Sequence, residues 1–110
     1  MGVRTEIPPG TLYMLILKTL THLGPVHGSG IAEHIQQTSE DVLTVEEGSL
    51  YPALQRMLVK GWVEAEWGLS ENNRRACFYR LTAPGRKQLQ AEVAEFEKVT
   101  RAITRVIQPA

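Results

Sequence analysis

Two adjacent arginines, Arg74 and Arg75, follow Asn72 and Asn73 in a short polar segment between two stretches of alternating apolar residues. Asparagine accepts the positive φ that tight turns require, so the sequence predicts that these residues lie at the tip of a hairpin. A guanidinium group binds phosphate through paired hydrogen bonds and is attracted into the narrow minor groove of A·T-rich DNA. Asn73, Arg74 and Arg75 are therefore candidate DNA contacts.

A second group of candidate DNA contacts lies in the helical segment 45–60, directly before the hairpin. Serine and tyrosine hydroxyls suit phosphate or base contacts, glutamine can pair with adenine, and basic side chains further along the helix suit phosphate. A helix-turn-helix protein places the N-terminal part of its second helix against base edges in the major groove. The candidates in this segment are Ser49, Tyr51, Pro52, Gln55, Arg56 and Lys60.

The charge of the chain is balanced overall but separated along the sequence. The 110 residues hold 12 basic and 12 acidic side chains, a formal net charge of zero. Residues 48–87 contain seven basic and three acidic side chains, a balance of +4, whereas residues 28–47 contain five acidic side chains and neither lysine nor arginine. Such separation favours one basic face, which is what phosphate contact requires.

The spacing of apolar residues predicts the elements that must position these side chains. Helices are predicted over 11–23, over 29–37, over a third segment ending at Gly61 and from Thr82 to Ile107, and strands over 62–68 and 75–81. The third helix begins either at a capping box formed by Thr44 and Glu47 or at Ser49. The two strands form a hairpin, which must pack against the helices because two strands alone are marginally stable.

Two further expectations concern the segments that connect these elements, and a third concerns the faces of the first strand. Residues 4–10 are predicted to form an irregular arm, and Val42 and Leu43 to touch the core. Alternation places Val63, Ala65 and Trp67 on one face of the first strand and Glu64 and Glu66 on the other.

The last helix carries a long apolar stripe on an otherwise charged surface. Its members recur at helical spacing and are Leu89, Val93, Phe96, Val99, Ile103 and Val106. A three-helix core cannot cover a stripe of this length, so the helix is predicted to mediate dimerisation. The alternative is antiparallel packing of this helix on the first helix within one chain.

Four segments of the sequence together resemble those of one protein family. The runs GSLYPALQRM, EAEWG, ENNRRA and YRLTAPGRKQL are similar to those of the PadR family of bacterial transcriptional regulators, and the likeness extends over about residues 10–107. The chain resembles the short subfamily that ends with a single helix. It departs from the family at Gly28-Ser29, where relatives commonly have Gly-Tyr, and at Cys77-Phe78, where a basic residue and a tyrosine are more usual.

The resemblance implies a homodimeric winged-helix repressor whose first and last helices form the interface. It implies that Ser49, Tyr51, Pro52, Arg74 and Arg75 lie at the DNA face. It also places Phe96 where relatives carry an aromatic residue that lines a ligand cavity between subunits. The residues expected at this cavity or interface are Leu12, Ile16, Leu89, Val93 and Phe96.

The sequence thus predicts an α+β, mainly α, fold: a winged helix-turn-helix over 1–82 and a C-terminal dimerisation helix over 83–110 that packs with 10–23 of the partner. The predicted function is a homodimeric repressor that binds a pseudo-palindromic operator in double-stranded DNA and is released by a small aromatic or cationic effector. Two alternatives stay open: a winged-helix module for protein–protein contact, favoured by the acidic segment, and a repressor that needs no ligand.

Other classes of function lack support in the sequence. No apolar run approaches the ~18 residues of a membrane span, and the single cysteine, Cys77, favours a reducing compartment, so a cytoplasmic protein is expected. His22, His27 and His34 do not have the spacing of a metal site. No pattern typical of a nucleophile, a phosphate loop or paired carboxylates is present, so the sequence predicts no enzyme, no metal and no cofactor.

Overall fold

The computed structural model describes residues 5–8 and 10–109. In chain order the elements are β1 (Thr5–Glu6), α1 (Leu12–Leu23), β2 (Val26–His27), α2 (Gly28–Thr38), β3 (Leu43–Thr44), α3 (Glu47–Val59), β4 (Val63–Leu69), β5 (Arg75–Leu81) and α4 (Ala83–Ile107). This order confirms the predicted mainly helical α+β fold. No helix within the described ranges has the length and apolar character needed to cross a membrane.

The core lies where α1, α2 and α3 meet the base of the hairpin. Its fully buried large side chains are Ile16, Leu17, Leu20, Ile31, Leu50, Leu54, Met57 and Val63. They recur at helical spacing within each helix, which is why the apolar pattern located the helices correctly. Gly24 ends α1 with a φ of 70°, and its N–H donates to the carbonyl of Leu20.

The hairpin is antiparallel, with Val63 opposite Leu81 at its base and Leu69 opposite Arg75 near its tip. Asn73 has a φ of 62°, which confirms the predicted turn. Only the base packs on the helices. Trp67 is 61% exposed and Ala65 is also exposed, so of the face that these two residues share with Val63 only Val63 is buried. The hairpin projects beyond the helices as a wing.

Two short pairings were not predicted. Val26 and His27 of β2 pair with Tyr79 and Phe78 of β5 and add a third strand to the sheet. β1 pairs in parallel with β3, so the described part of the N-terminal arm is not wholly irregular.

The start of α3 also differs from the prediction. Glu46 is the N-cap of α3 and its side chain makes no capping hydrogen bond. Thr44 belongs to β3, so neither the capping box nor the Ser49 start is correct. Leu43 packs against the core, but Val42 is 53% exposed, because the pairing with β1 turns alternate side chains to opposite sides.

Helix α4 begins as predicted at Thr82, whose hydroxyl accepts from the N–H of Gly85 at 3.0 Å. Leu89 is buried and Val93 packs against the core beside α1. Beyond them the apolar stripe leaves the chain's own core. Its exposed members are Phe96, Val99, Ile103 and Val106, and the neighbouring Ile107 is exposed as well. Packing within one chain therefore accounts for the first half of the stripe only.

Candidate nucleic-acid interface

A concave surface of about 1150 Å³ lies between α3, the N-terminal half of α2 and the wing. We call it the wing groove. Tyr51 and Gln55 of α3 line the wall on the helix side, Arg74 and Arg75 line the wall on the wing side, and Ser29 of α2 also lines the groove. Four of the nine predicted DNA contacts are thus brought together across one groove.

Tyr51 is seated against the first turn of α2. A Cβ added at Gly28 would lie 2.7 Å from the Tyr51 hydroxyl oxygen, so only glycine leaves room for this ring. Gly28 is itself buried, whereas Tyr51 keeps 41% of its surface exposed. The Gly28-Ser29 departure from the family pattern therefore coincides with the place where α3 meets α2.

The wing arginines are exposed, and one of them is held by an aromatic ring. The Arg75 guanidinium carbon lies 4.6 Å from the centre of the Trp67 ring, a distance typical of cation–π contact. Trp67 also lines the wing groove. Among the described residues, the ion pair in the wing joins Arg80 of β5 to Glu64 of β4 at 3.3 Å, and neither Arg74 nor Arg75 has an acidic partner.

A second concavity, of about 650 Å³, lies on the other side of α3 between this helix, the N-terminal segment and the start of α1. We call it the α3 flank. Ser49, Pro52 and Arg56 line it in a row along one face of α3. The Nε–H of Arg56 donates to the hydroxyl of Tyr13 in α1.

The remaining two predicted contacts lie outside both concavities. Lys60 is at the C-terminal end of α3, with its ammonium 5.2 Å from the centre of the Trp62 ring. Asn73 is exposed at the wing tip, where its backbone N–H donates to the Ser70 carbonyl at 2.9 Å.

Acidic side chains also contribute to the wing groove. Glu33 of α2 and Glu71 of the wing line it together with the two arginines. The groove is therefore of mixed charge, and placed contacts rather than bulk attraction must determine what binds there.

The residues predicted for an effector cavity or dimer interface are dispersed. A groove of about 540 Å³ between α1 and α4 is lined by Leu89 and Val93 together with Lys18 and Glu97. Phe96 is exposed beyond it. Leu12 lines the α3 flank instead. Ile16 has no exposed surface, because it points from α1 into the core, so its assignment to a cavity or interface is wrong for this conformation.

Three residues of the site were missed from the sequence. Gly28 seats Tyr51, Tyr13 binds Arg56, and the side chain of His27 caps α2 by accepting from the Gly30 N–H at 3.0 Å. The imidazole of His27 also contacts the Phe78 ring edge-to-face, with 5.7 Å between centroids. None of the three has a clear signal in the sequence, since the predicted helix begins at Ser29 and histidine is not among the preferred N-cap residues.

One titratable side chain that lines the wing groove, Tyr79, has a shifted pKa. Burial, and next the neighbouring Cys77, raise the pKa of Tyr79 to about 12. His22 and His34 approach each other with ring centroids 6.1 Å apart. Within residues 5–8 and 10–109, no three metal-ligating side chains are grouped as a metal ion requires.

Three helices with a β-hairpin wing after the third helix make this domain a winged helix-turn-helix. The sequence model of the PadR-like family of transcriptional regulators matches residues 16–91, more than half of the chain. The chain therefore belongs to this family.

The chain is also similar to individual proteins over most of its length. The chain is 28% identical over 101 residues to an uncharacterised protein of Lysinibacillus sphaericus, with 92% of each chain covered. It is similar to the solved structure of a transcriptional regulator from Clostridium thermocellum, with a TM-score of 0.82, 25% identity, and 90% of this chain and 95% of that one covered. A structure of Bacillus subtilis PadR in complex with operator DNA shares the fold, with a TM-score of 0.66, 19% identity, and 76% of this chain and 47% of that one covered.

Proposed function

We propose that this transcriptional regulator is a homodimeric repressor that binds double-stranded DNA through α3 and the wing and is released by a small molecule. The observation that carries the DNA assignment is the wing groove, where Tyr51 and Gln55 face Arg74 and Arg75. With α3 in a major groove, the adjoining phosphate backbone would lie between these two walls.

The relative from Bacillus subtilis supports this assignment, since that protein was solved with operator DNA. The same three helices and wing are present here. Arginine at the wing tip also suits a narrow minor groove next to the major groove that α3 enters.

The direct test of DNA binding is an electrophoretic mobility shift with a duplex from the region upstream of this chain's own coding sequence. We expect a retarded complex that survives an excess of random-sequence duplex. Absence of a complex even at low salt would contradict the proposal. It would favour a winged-helix module for protein–protein contact, which the acidic Glu33 and Glu71 in the wing groove would suit.

The homodimer is supported by the exposed half of α4. Phe96, Val99 and Ile103 are 45%, 44% and 54% exposed on one stripe, and a second copy would bury them. Two copies related by a dyad would present their α3 helices to half-sites about one helical turn, ~34–36 Å, apart.

Sedimentation analysis of Val99→Glu/Ile103→Glu tests this interface. We expect the wild-type chain to sediment as a dimer and the double variant as a monomer, because two carboxylates would have to be buried. Lys98→Glu/Arg101→Glu, which places two carboxylates on the exposed face of α4 away from the stripe, is the matched control and should leave the dimer intact. A double variant that remains dimeric would exclude this surface as the interface.

Release by an effector is supported by the groove between α1 and α4, where Leu89 and Val93 offer apolar surface and Glu97 a negative charge. These groups suit a flat ligand that is aromatic or cationic. Titration of the protein–DNA complex with p-coumarate and with rhodamine 6G tests the two chemistries. Dissociation by one of them identifies the class, and binding of neither in calorimetry would instead favour a ligand-independent repressor.

A further inference from the structure

Two cations of α3 are held by a chain of aromatic rings at the edge of the α3 flank. The guanidinium carbon of Arg56 lies 5.7 Å from the Tyr13 ring centre, and its Nε–H donates to the Tyr13 hydroxyl. The Tyr13 ring meets Trp62 edge-to-face, with 5.6 Å between centroids. The ammonium group of Lys60 lies over the Trp62 ring, at the other end of this row of aromatic rings.

The Tyr13 side chain is held in one orientation by its neighbours, so it can hold the guanidinium group of Arg56 in one orientation as well. It packs against the core from α1, and the contact with Trp62 restricts rotation of its ring. Arg56 is exposed, and without this contact its long side chain would sample many rotamers.

The hydrogen bond to Tyr13 uses only one of the five donors of Arg56. Within the described part of the chain, no hydrogen bond or ion pair engages the two terminal nitrogens. They form the planar fork that binds two oxygens of one phosphate. The contact therefore orients the fork without occupying it.

We propose that Tyr13 is a positioning residue for DNA binding, which holds the Arg56 guanidinium toward phosphate on the side of α3 opposite the wing. The inference rests on the proposed function. Arg56 lies in one row with Ser49 and Pro52 along the α3 flank. The strand contacted there would be the one across the major groove from the strand in the wing groove.

The test is a double-mutant cycle between Tyr13→Phe and Arg56→Ala, read by fluorescence anisotropy with a labelled 30-base-pair random-sequence duplex at low salt. Y13F keeps the ring and its contact with Trp62 but removes the acceptor. We expect Y13F to weaken binding by about 3- to 10-fold, the usual range for one hydrogen bond. In the R56A background the same change should have almost no effect.

Arg74→Ala provides the control cycle, because Arg74 lines the wing groove whereas Tyr13 lines the α3 flank; the effects of Y13F and R74A should multiply. If Y13F binds like wild type, or weakens binding equally with and without Arg56, the inference is overturned. If Y13F fails to fold, Arg56→Lys replaces it: this variant keeps the charge but lacks the fork, and wild-type affinity would also overturn the inference. A wild-type chain that binds no duplex would instead overturn the proposed function itself.

Discussion

Gly85 lies where the first turn of α4 packs against the base of the wing, and the structure predicts a large effect of substituting it. Gly85 is buried in the first turn of α4. A Cβ built on it would lie 2.0 Å from the carbonyl oxygen of Trp62 and 2.9 Å from a methyl carbon of Leu81. The same Trp62 carbonyl accepts from the backbone N–H of Thr82 at 3.1 Å. Because the Trp62 oxygen that would clash with the added Cβ belongs to the backbone, rotation of a side chain cannot relieve the clash.

The cost of Gly85→Ala follows from these contacts. The helix and the carbonyl must separate by about 1 Å, and overpacking of this kind costs about 1–3 kcal/mol. Loss of the Thr82 hydrogen bond adds about 1 kcal/mol, whereas the better helix propensity of alanine returns up to about 1 kcal/mol. We therefore expect the free energy of unfolding to fall by about 1–4 kcal/mol, which lowers the melting temperature by roughly 4–16 °C for a domain of this size.

Thermal unfolding followed by circular dichroism measures this effect. Gly48→Ala is the matched control, because nothing lies within 4 Å of its added Cβ; its melting temperature should stay level or rise. All variants are compared at one chain concentration, since a dimer's melting temperature depends on it. If Gly85→Ala and Gly48→Ala melt within about 2 °C of each other, the close approach of α4 to the wing is refuted.

Two further predictions concern tyrosines of the site. The raised pKa of Tyr79, from 10.0 to about 12, means that the folded state holds this proton more tightly than the unfolded state. Its contribution to stability, about 2–3 kcal/mol, is present below pH 10 and lost as the pH rises toward 12. Denaturant titrations should show this decline in the wild type and a smaller one in Tyr79→Phe; equal declines would assign the effect to other groups. Gly28→Ala should displace the Tyr51 ring and weaken DNA binding several-fold in anisotropy titrations, with a melting temperature near that of the wild type. If the affinity of Gly28→Ala for DNA is unchanged, the packing of the Tyr51 ring against Gly28 does not contribute to DNA binding.

The elements that the sequence predicted correctly are those determined by local patterns. The apolar stripes of α1 and α3 point into the core as their spacing requires, and Thr82 caps α4 because a hydroxyl before the first turn meets free N–H groups. The hairpin is located by alternation on both sides of a turn containing Asn73. These signals depend on residues close in sequence, so they can be read without the fold.

The features that were missed depend on contacts between distant segments. β1 meets β3 and β2 meets β5 as pairs of two residues, too short for a pattern and formed only because the helices bring them together. Alternation placed Trp67 on a face of β4 but could not indicate how far the wing projects past the helices. The contact between Tyr13 and Arg56 joins residues 43 positions apart, and Ile16 was misassigned because α1 is apolar on more than one face.

The central claim, that the wing contacts DNA through its two arginines, is tested most directly by the salt dependence of binding. The slope of log Kobs against log salt is about −0.9 per phosphate contact, so Arg74→Ala/Arg75→Ala should flatten the slope by about 1.8. The matched control is Arg86→Ala/Lys87→Ala, which removes the same charge from exposed positions in the first turns of α4. We predict a flattened slope and lower affinity for the wing variant and near wild-type values for the control. Equal slopes for both double variants would contradict the account, because bulk charge would then explain the binding.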